Sequence, residues 1–400
     1  MRRHSLYLVI MLVTLISVFT SGFTVIGHRG EYFSNQDGTV EHTYQAYDNA
    51  LRDGADYLEI DLERTADGTL VVSHDPTTNR LTGVSSIISQ IPWTTLQGLP
   101  LRNTTEHFHS LEEVFQRYQA DPRAKFLIET RKTPDRLEQE TALVALINAY
   151  GLQNRVYFQS FSSASLRRLM QLMPGVKTML LTNSSQHITP QWLQQYADIT
   201  SLGFYWPAVT GQAVNVLHQA KKQIYPWFDA DEPSSNTTGE NVIGVGADGV
   251  ITNWTQQYRS LPTQQPTPAG SRFRVHNATF LYAGAGSHAT ATRKLGMNST
   301  WQVHATITIA GTPWYEAAPN QWIPATAGLF LNSEQVNQVH SHHSIIQVTQ
   351  KPAVIHSSPT ADSPRQNRKL AVGTRWQSGL YLFDGTSVWY NVGRNQWIRQ

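Results

Sequence analysis

A chain of 400 residues with 40% hydrophobic content, 11 Trp, 16 Tyr and 14 Phe has more than one domain's length and enough apolar surface for a sizeable core, which excludes a wholly disordered protein. Its net charge of +2 comes without a basic run, so a dedicated nucleic-acid binder is excluded and an anionic polymer is only weakly favoured as a partner. It has no cysteine, which removes disulfides, thiolate metal ligands and cysteine nucleophiles.

Arg2, Arg3 and His4 precede an apolar run from Leu6 to Phe19 that is short of the ~20 residues a spanning helix needs. With the small residues Thr20, Ser21 and Gly22 behind it, residues 1–22 read as a signal peptide, or as an uncleaved anchor through residues 5–22. Either reading makes the chain an exported one. From 23 to 258, short apolar runs alternate with amphipathic stretches. The strand candidates are 24–29, 57–63, 70–75, 125–131, 156–161, 177–181, 199–205, 223–228 and 249–254. Helix candidates such as 45–53, 111–119, 134–149, 165–172 and 212–220 lie between them. This alternation predicts a parallel α/β fold whose length suits a (β/α)8 TIM barrel, with an open doubly wound sheet as the alternative.

A stretch rich in Pro, Thr and Gln at 259–271 reads as a linker. An internal repeat follows. Arg293-Lys294-Leu295, Trp301-Gln302, Trp314-Tyr315 and Asn320-Gln321-Trp322-Ile323 recur as Arg368-Lys369-Leu370, Trp376-Gln377, Trp389-Tyr390 and Asn395-Gln396-Trp397-Ile398, always 75 positions on. Alternating patterns and the turn glycines Gly311 and Gly385 predict two small all-β, SH3-like modules, at 272–327 and 350–400, joined by a linker at 328–349.

Chemistry concentrates at predicted strand ends, where a barrel places its active site. The first strand ends in His28-Arg29-Gly30, and the third run ends in His74-Asp75. In Tyr57-Leu58-Glu59-Ile60-Asp61-Leu62, the two-residue period puts Glu59 and Asp61 on one face and the apolar residues on the other. Two carboxylates aimed into a barrel repel unless a cation joins them, and oxygen ligands suit Mg or Ca. An edge strand with its polar face in water is the competing reading. Glu129 and Arg131 share a face in the same way, either as a salt bridge or as a third carboxylate beside a cation for phosphate. Two histidines, three carboxylates and two arginines together match metal-assisted phosphodiester cleavage.

The order of these elements resembles the glycerophosphodiester phosphodiesterase family. His28-Arg29-Gly30, Val40-Glu41-His42-Thr43, Glu59-Ile60-Asp61-Leu62, Thr65-Ala66-Asp67-Gly68, His74-Asp75 and Arg80-Leu81-Thr82 follow its signature from Ile26 to Thr82. Later stretches also match: 110–114, 128–131, 159–161 and 248–253. The resemblance implies a (β/α)8 barrel with one divalent metal on Glu59, Asp61 and Glu129, and His28 and His74 as the acid/base pair. It implies phosphate contact from Arg29, orientation by Glu41, and an alcohol and glycerol 3-phosphate as products. Three motifs depart from the family pattern, the first of them also losing its Pro to Val40. His42 stands where it has Asn, Arg131 where it has Lys, and Trp227-Phe228-Asp229 replaces a Trp-Thr-(Val/Ile)-Asn motif, with Trp227 a candidate wall beside the leaving group.

The C-terminal repeats resemble the wall-associated module of surface-layer proteins in lactobacilli. That implies a cell-wall polymer as partner and an exported, wall-associated enzyme acting on glycerophosphodiesters, lipid head groups or a glycerol-phosphate polymer. The competing functions are a non-catalytic wall-binding protein with a drifted barrel and a related barrel phospholipase of the sphingomyelinase D type.

Overall fold

The computed structural model describes residues 22–33, 38–130, 138–185, 188–229 and 232–400. The expected signal segment, apart from Gly22, and Arg131 lie outside the described residues. Among those residues no helix is long and apolar enough to cross a membrane.

Nine strands form the N-terminal sheet: β1 (Thr24–Gly27), β2 (Tyr57–Arg64), β3 (Leu70–Val72), β4 (Phe126–Thr130), β5 (Val156–Ser160), β6 (Thr178–Thr182), β7 (Ser201–Tyr205), β8 (Gln223–Trp227) and β9 (Gly249–Thr252). All but β3 are parallel neighbours, and β1 pairs with both β2 and β9, so eight strands close on themselves. Closure rejects the open doubly wound alternative and leaves no edge except the short antiparallel β3 on β2.

The two-residue period sorts each strand into an inner and an outer face. Leu58, Ile60, Leu62, Phe126, Ile128 and Phe158 face outward onto the helices, where they pack with Tyr47, Leu111 and Phe115. Ile26, Leu127, Tyr157, Met179, Tyr225 and Ile251 fill the barrel interior. The next inward positions toward the strand C-termini are His28, Glu129, Gln159, Trp227 and Asn253. An apolar floor thus carries a polar rim.

The C-terminal third is two antiparallel units. In the first, Arg272–Val275 lies between Thr300–Gln302 and Gly328–Leu331. It sits beside a six-stranded sheet that begins with Gln265–Pro266 paired on Ala305–Ile309. In the second, Val339–Gln347 pairs with Arg375–Phe383 in another six-stranded sheet. Both segments expected as linkers are therefore partly strand. Gln and Pro at 265–266 serve as a sheet edge, and the polar 339–347 run is a half-exposed strand whose alternation was hidden by its His and Ser residues. The repeated residues hold equivalent contacts. Arg293 lies over the Trp301 ring at 4.6 Å, and Arg368 over Trp376 at 5.4 Å.

The first unit is seated on the barrel. Asn320 donates to Asn215 Oδ1 (2.9 Å) and to the Val245 carbonyl (3.2 Å). The His288 ring stacks on Trp206 with centroids 4.0 Å apart. Gly211 is required at this contact, because a Cβ there would come within 1.8 Å of the Ala283 carbonyl oxygen.

Candidate active site

The turn after β1 begins the site. Arg29 takes a positive φ of 57°, and its backbone N–H donates to Glu59 Oε2 at 2.9 Å. Gly30 (φ 86°) has no room for a side chain, since a Cβ would sit 2.7 Å from Ala46. His42, also at positive φ (60°), donates its backbone N–H to the Arg29 carbonyl at 2.9 Å. Two non-glycine residues in the left-handed region, bonded to each other, are the kind of backbone strain that clusters at functional sites. They fold the His28-Arg29 and Glu41-His42 segments over one end of the barrel.

Register places the carboxylates. Asp61, Glu129 and Gln159 stand opposite one another on β2, β4 and β5, with Glu59 two residues earlier on the same face of β2. All four are buried. Gln159 Nε2 donates to Glu59 Oε1 at 2.9 Å and reaches Glu129 Oε2 at 3.4 Å. Burial, reinforced by the neighbouring Asp61 and Glu129 charges, pushes the Glu59 carboxyl well above the usual carboxylate range. A set of buried acids that resist joint ionisation suits a divalent cation held by oxygen ligands. Ligand atoms of His42, Glu59 and Asp61 lie within 4.8 Å of one another.

His42 was not anticipated as a site residue. Its Nε2 lies 3.1 Å from Asp61 Oδ2 and its Nδ1 lies 2.9 Å from the Tyr47 hydroxyl, both in full burial. The carboxylate needs a donor, so the proton sits on Nε2 and Tyr47 donates to Nδ1. The signal in the sequence was the exchange of Asn for His, which reads as a mere departure until the fold shows its partners.

The two predicted histidines line the same cavity, of about 160 Å³, together with Arg29, Asp61, Glu129, Gln159, Trp227 and Asp229. His28 is set by Asn253. The Asn253 amide nitrogen donates to the Asp229 carbonyl at 3.1 Å, which turns its oxygen toward His28 Nδ1 at 2.9 Å. His28 therefore carries its proton on Nδ1 and keeps Nε2 as a free acceptor. Burial, then the Arg29 charge, push its pKa down to about 3, so the ring is neutral at ordinary pH. His74 Nδ1 bonds Asp75 Oδ1 at 2.8 Å. Asp75 in turn accepts from Arg80 Nε at 2.6 Å, and Arg80 makes a two-pronged pair with Glu41 at 2.6 and 2.8 Å. Glu41 also faces Arg29 Nη1 at 3.3 Å. Burial would raise the Glu41 carboxyl, but Arg80 and Arg29 outweigh it and hold it down. Arg80, Asp75 and Asn253 were quoted from the sequence without a role. Asp75 and Arg80 tie His74 to Glu41, and Asn253 fixes His28 from the other side of the site.

Trp227 sits at the end of β8, in the seventh barrel position. Its ring packs against Tyr205 (5.1 Å) and Phe161 (6.1 Å), and its buried indole N–H has no hydrogen-bond partner among the described residues. It is thus a cavity wall with a spare donor, more polar than the apolar wall expected. Behind the site, Glu232 accepts from the Asn253 backbone (2.6 Å) and the Thr252 hydroxyl (2.7 Å).

A model of the glycerophosphoryl diester phosphodiesterase family matches residues 28–256. The chain is 27% identical over 251 residues to a glycerophosphodiester phosphodiesterase of Bacillus altitudinis, covering 59% of this chain and 95% of that one. A Bacillus subtilis glycerophosphodiester phosphodiesterase is 26% identical over 282 residues, covering 62% and 92%. Among solved structures, a glycerophosphodiester phosphodiesterase from Parabacteroides distasonis shares the fold with a TM-score of 0.51 at 21% identity, over 59% of this chain and 95% of that one. An Oleispira antarctica phosphodiesterase bound to the product sn-glycerol-3-phosphate does so with 0.51 at 20%, over the same shares.

Burial pushes the Glu232 carboxyl up to about 8 from an ordinary 4.5, so the folded state holds a proton that the unfolded chain has released. Stability should therefore fall as pH rises from ~4.5 to ~8. Glu232→Gln, read by denaturant unfolding across that window, should flatten the decline; parallel curves for the two proteins would contradict the assignment.

Proposed function

The chain belongs to the glycerophosphoryl diester phosphodiesterase family, and from that premise we propose that Glu59, Asp61 and Glu129 hold its metal while His28 and His74 move the protons. The observation that carries this is the complementary fixing of the two rings by Asn253 and Asp75 at one small cavity beside the carboxylates. A divalent ion bound there would neutralise charge on the phosphoryl oxygens. The chain's own groups do the rest. Arg29 and Trp227 line the cavity that would take the phosphate, with Glu41 holding the Arg29 guanidinium in place to meet it. His28 Nε2 accepts the proton of the attacking hydroxyl, from water or from the neighbouring glycerol carbon. His74, backed by Asp75, delivers a proton to the departing alcohol oxygen. With water as the nucleophile, one P–O bond forms and one breaks, leaving an alcohol and glycerol 3-phosphate. With the glycerol hydroxyl, that exchange releases the alcohol and leaves a cyclic phosphate, and water opens it in a second P–O exchange with the two histidines' roles reversed.

Release of glycerol 3-phosphate from glycerophosphocholine by the full chain tests this assignment. Activity should vanish in EDTA and return with Mg or Ca. His28→Ala and His74→Ala should each lower kcat by ~10²–10⁴. Turnover that survives EDTA or either substitution would overturn it.

The remaining reading concerns location. The signal-like N-terminus and the wall-module-like repeats favour an exported enzyme kept at the bacterial cell wall and acting there on glycerophosphodiesters, lipid head groups or a glycerol-phosphate polymer. A cleft of about 640 Å³ where the two C-terminal units meet supports an anionic polymer as the partner. Arg274, Lys351, Arg365 and Arg399 all line it. Only Arg399 among them has an acidic partner among the described residues, Asp384 at 3.4 Å. Paired Lys351→Glu and Arg365→Glu substitutions should weaken binding to polyglycerolphosphate at least tenfold and reduce its salt dependence, while glycerophosphocholine turnover is kept. Unchanged binding would remove the cleft from the account.

A further inference from the structure

A second cluster of metal-ligating side chains lies away from the carboxylates. His107, His109 and Glu113 each bring one ligand atom within 4.8 Å of the other two. The rings of His107 and His109 are 5.0 Å apart. Nothing in the phosphodiesterase chemistry uses these three residues.

His109 carries the argument. It is 3% exposed, and its Nε2 is 2.8 Å from Glu106 Oε2. That carboxylate also accepts the Tyr44 and Gln45 backbone N–H groups, at 2.8 and 3.1 Å, at the start of the helix Tyr44–Arg52. Glu106 is an acceptor only, so the ring proton is on Nε2. Nδ1 is then a bare lone pair, buried and without a hydrogen-bond partner among the described residues. The Tyr44 ring stacks on the imidazole at 3.8 Å and holds its plane. A histidine that gives one N–H to a carboxylate and keeps its other nitrogen bare, beside a second imidazole and a carboxylate, has the arrangement of a metal-binding imidazole with its supporting acid.

Glu113 is available without loss of structure. One of its oxygens, Oε2, closes the capping box with Ser110 at the start of the helix Leu111–Tyr118. Among the described residues the other, Oε1, meets only Gln97 at 3.3 Å, an exposed amide that an ion would displace. Two imidazole nitrogens, one carboxylate oxygen and a water make the four-coordinate set that Zn²⁺ takes. We propose that His107, His109 and Glu113 form a second divalent-metal site, selective for a zinc-class ion and separate from the catalytic carboxylates.

Its place in the fold gives it a structural role. The His109 carbonyl accepts the Val72 N–H at 2.9 Å, and Val71 bridges to Ser110, so this loop pins β3 two residues before His74. Glu106 pins the segment that follows Glu41 and His42. An ion here would lock both approaches to the active site from outside it.

The test is Zn²⁺ titration of the EDTA-stripped, exchanged full chain, followed by calorimetry and bound-metal analysis, with thermal unfolding alongside. The unsubstituted protein should take up one more tight equivalent than His107→Ala, a loss of at least tenfold in affinity for that equivalent, and should gain more in Tm on adding zinc. Glu113→Gln, which preserves a capping-box side chain, should show the same loss and guards against a folding defect in the histidine variant. Equal zinc uptake by all three proteins would overturn the proposal.

Discussion

Asp61 and Glu129 stand opposite each other on neighbouring parallel strands, with Glu59 two residues behind, all three largely shielded from solvent. Three acids so placed cannot all ionise at low cost, and Glu59 shows the strain in its raised pKa. Much of the active end of the barrel can be understood as an answer to that charge. The Arg29 backbone, the Gln159 amide and His42 each give the carboxylates a hydrogen-bond partner. The left-handed turns at Arg29 and His42 are what bring these donors over the strand ends. A divalent cation held there would complete the set, and it would supply the charge neutralisation that phosphodiester cleavage asks of the site.

The two histidines are held by different partners, which suits the two roles proposed for them. Asn253 offers an oxygen to His28 and leaves it neutral with a free lone pair. Asp75 offers a carboxylate to His74. Arg80 ties Asp75 to Glu41, and Glu41 reaches Arg29. His74, Asp75, Arg80, Glu41 and Arg29 are thereby one connected network, so displacing any member shifts the others.

Much of this was legible before any coordinates. The two-residue period in Tyr57–Leu62 sorted Glu59 and Asp61 from Leu58 and Ile60, because a strand with one face on helices and one in a barrel must alternate. Strand positions were read to within a few residues for the same reason. Sheet closure was not legible, since period-two runs look alike in open and closed sheets. Nor was the helix Asn236–Gly244, whose Gly and Thr content hides its apolar side. His42 and Arg80 escaped assignment because their meaning lies in partners distant in sequence, Asp61 and Glu41. The polar segments at 265–266 and 339–347 passed for linkers because an edge strand and a linker share composition. The seating of the first repeat on the barrel depends on shape at Gly211 and Asn320, which no pattern announces.

The central claim is that the buried carboxylates are costly alone and are stabilised by a shared cation. Thermal unfolding of the full chain and of Glu59→Gln at pH 8, each in EDTA and in excess Mg or Ca, addresses it directly. Without metal the variant should be at least as stable as the unsubstituted protein, because one buried acid is gone. The gain in Tm on adding metal should be large in the unsubstituted protein and largely lost in the variant. A variant that is less stable in EDTA yet keeps the full metal response would contradict the account.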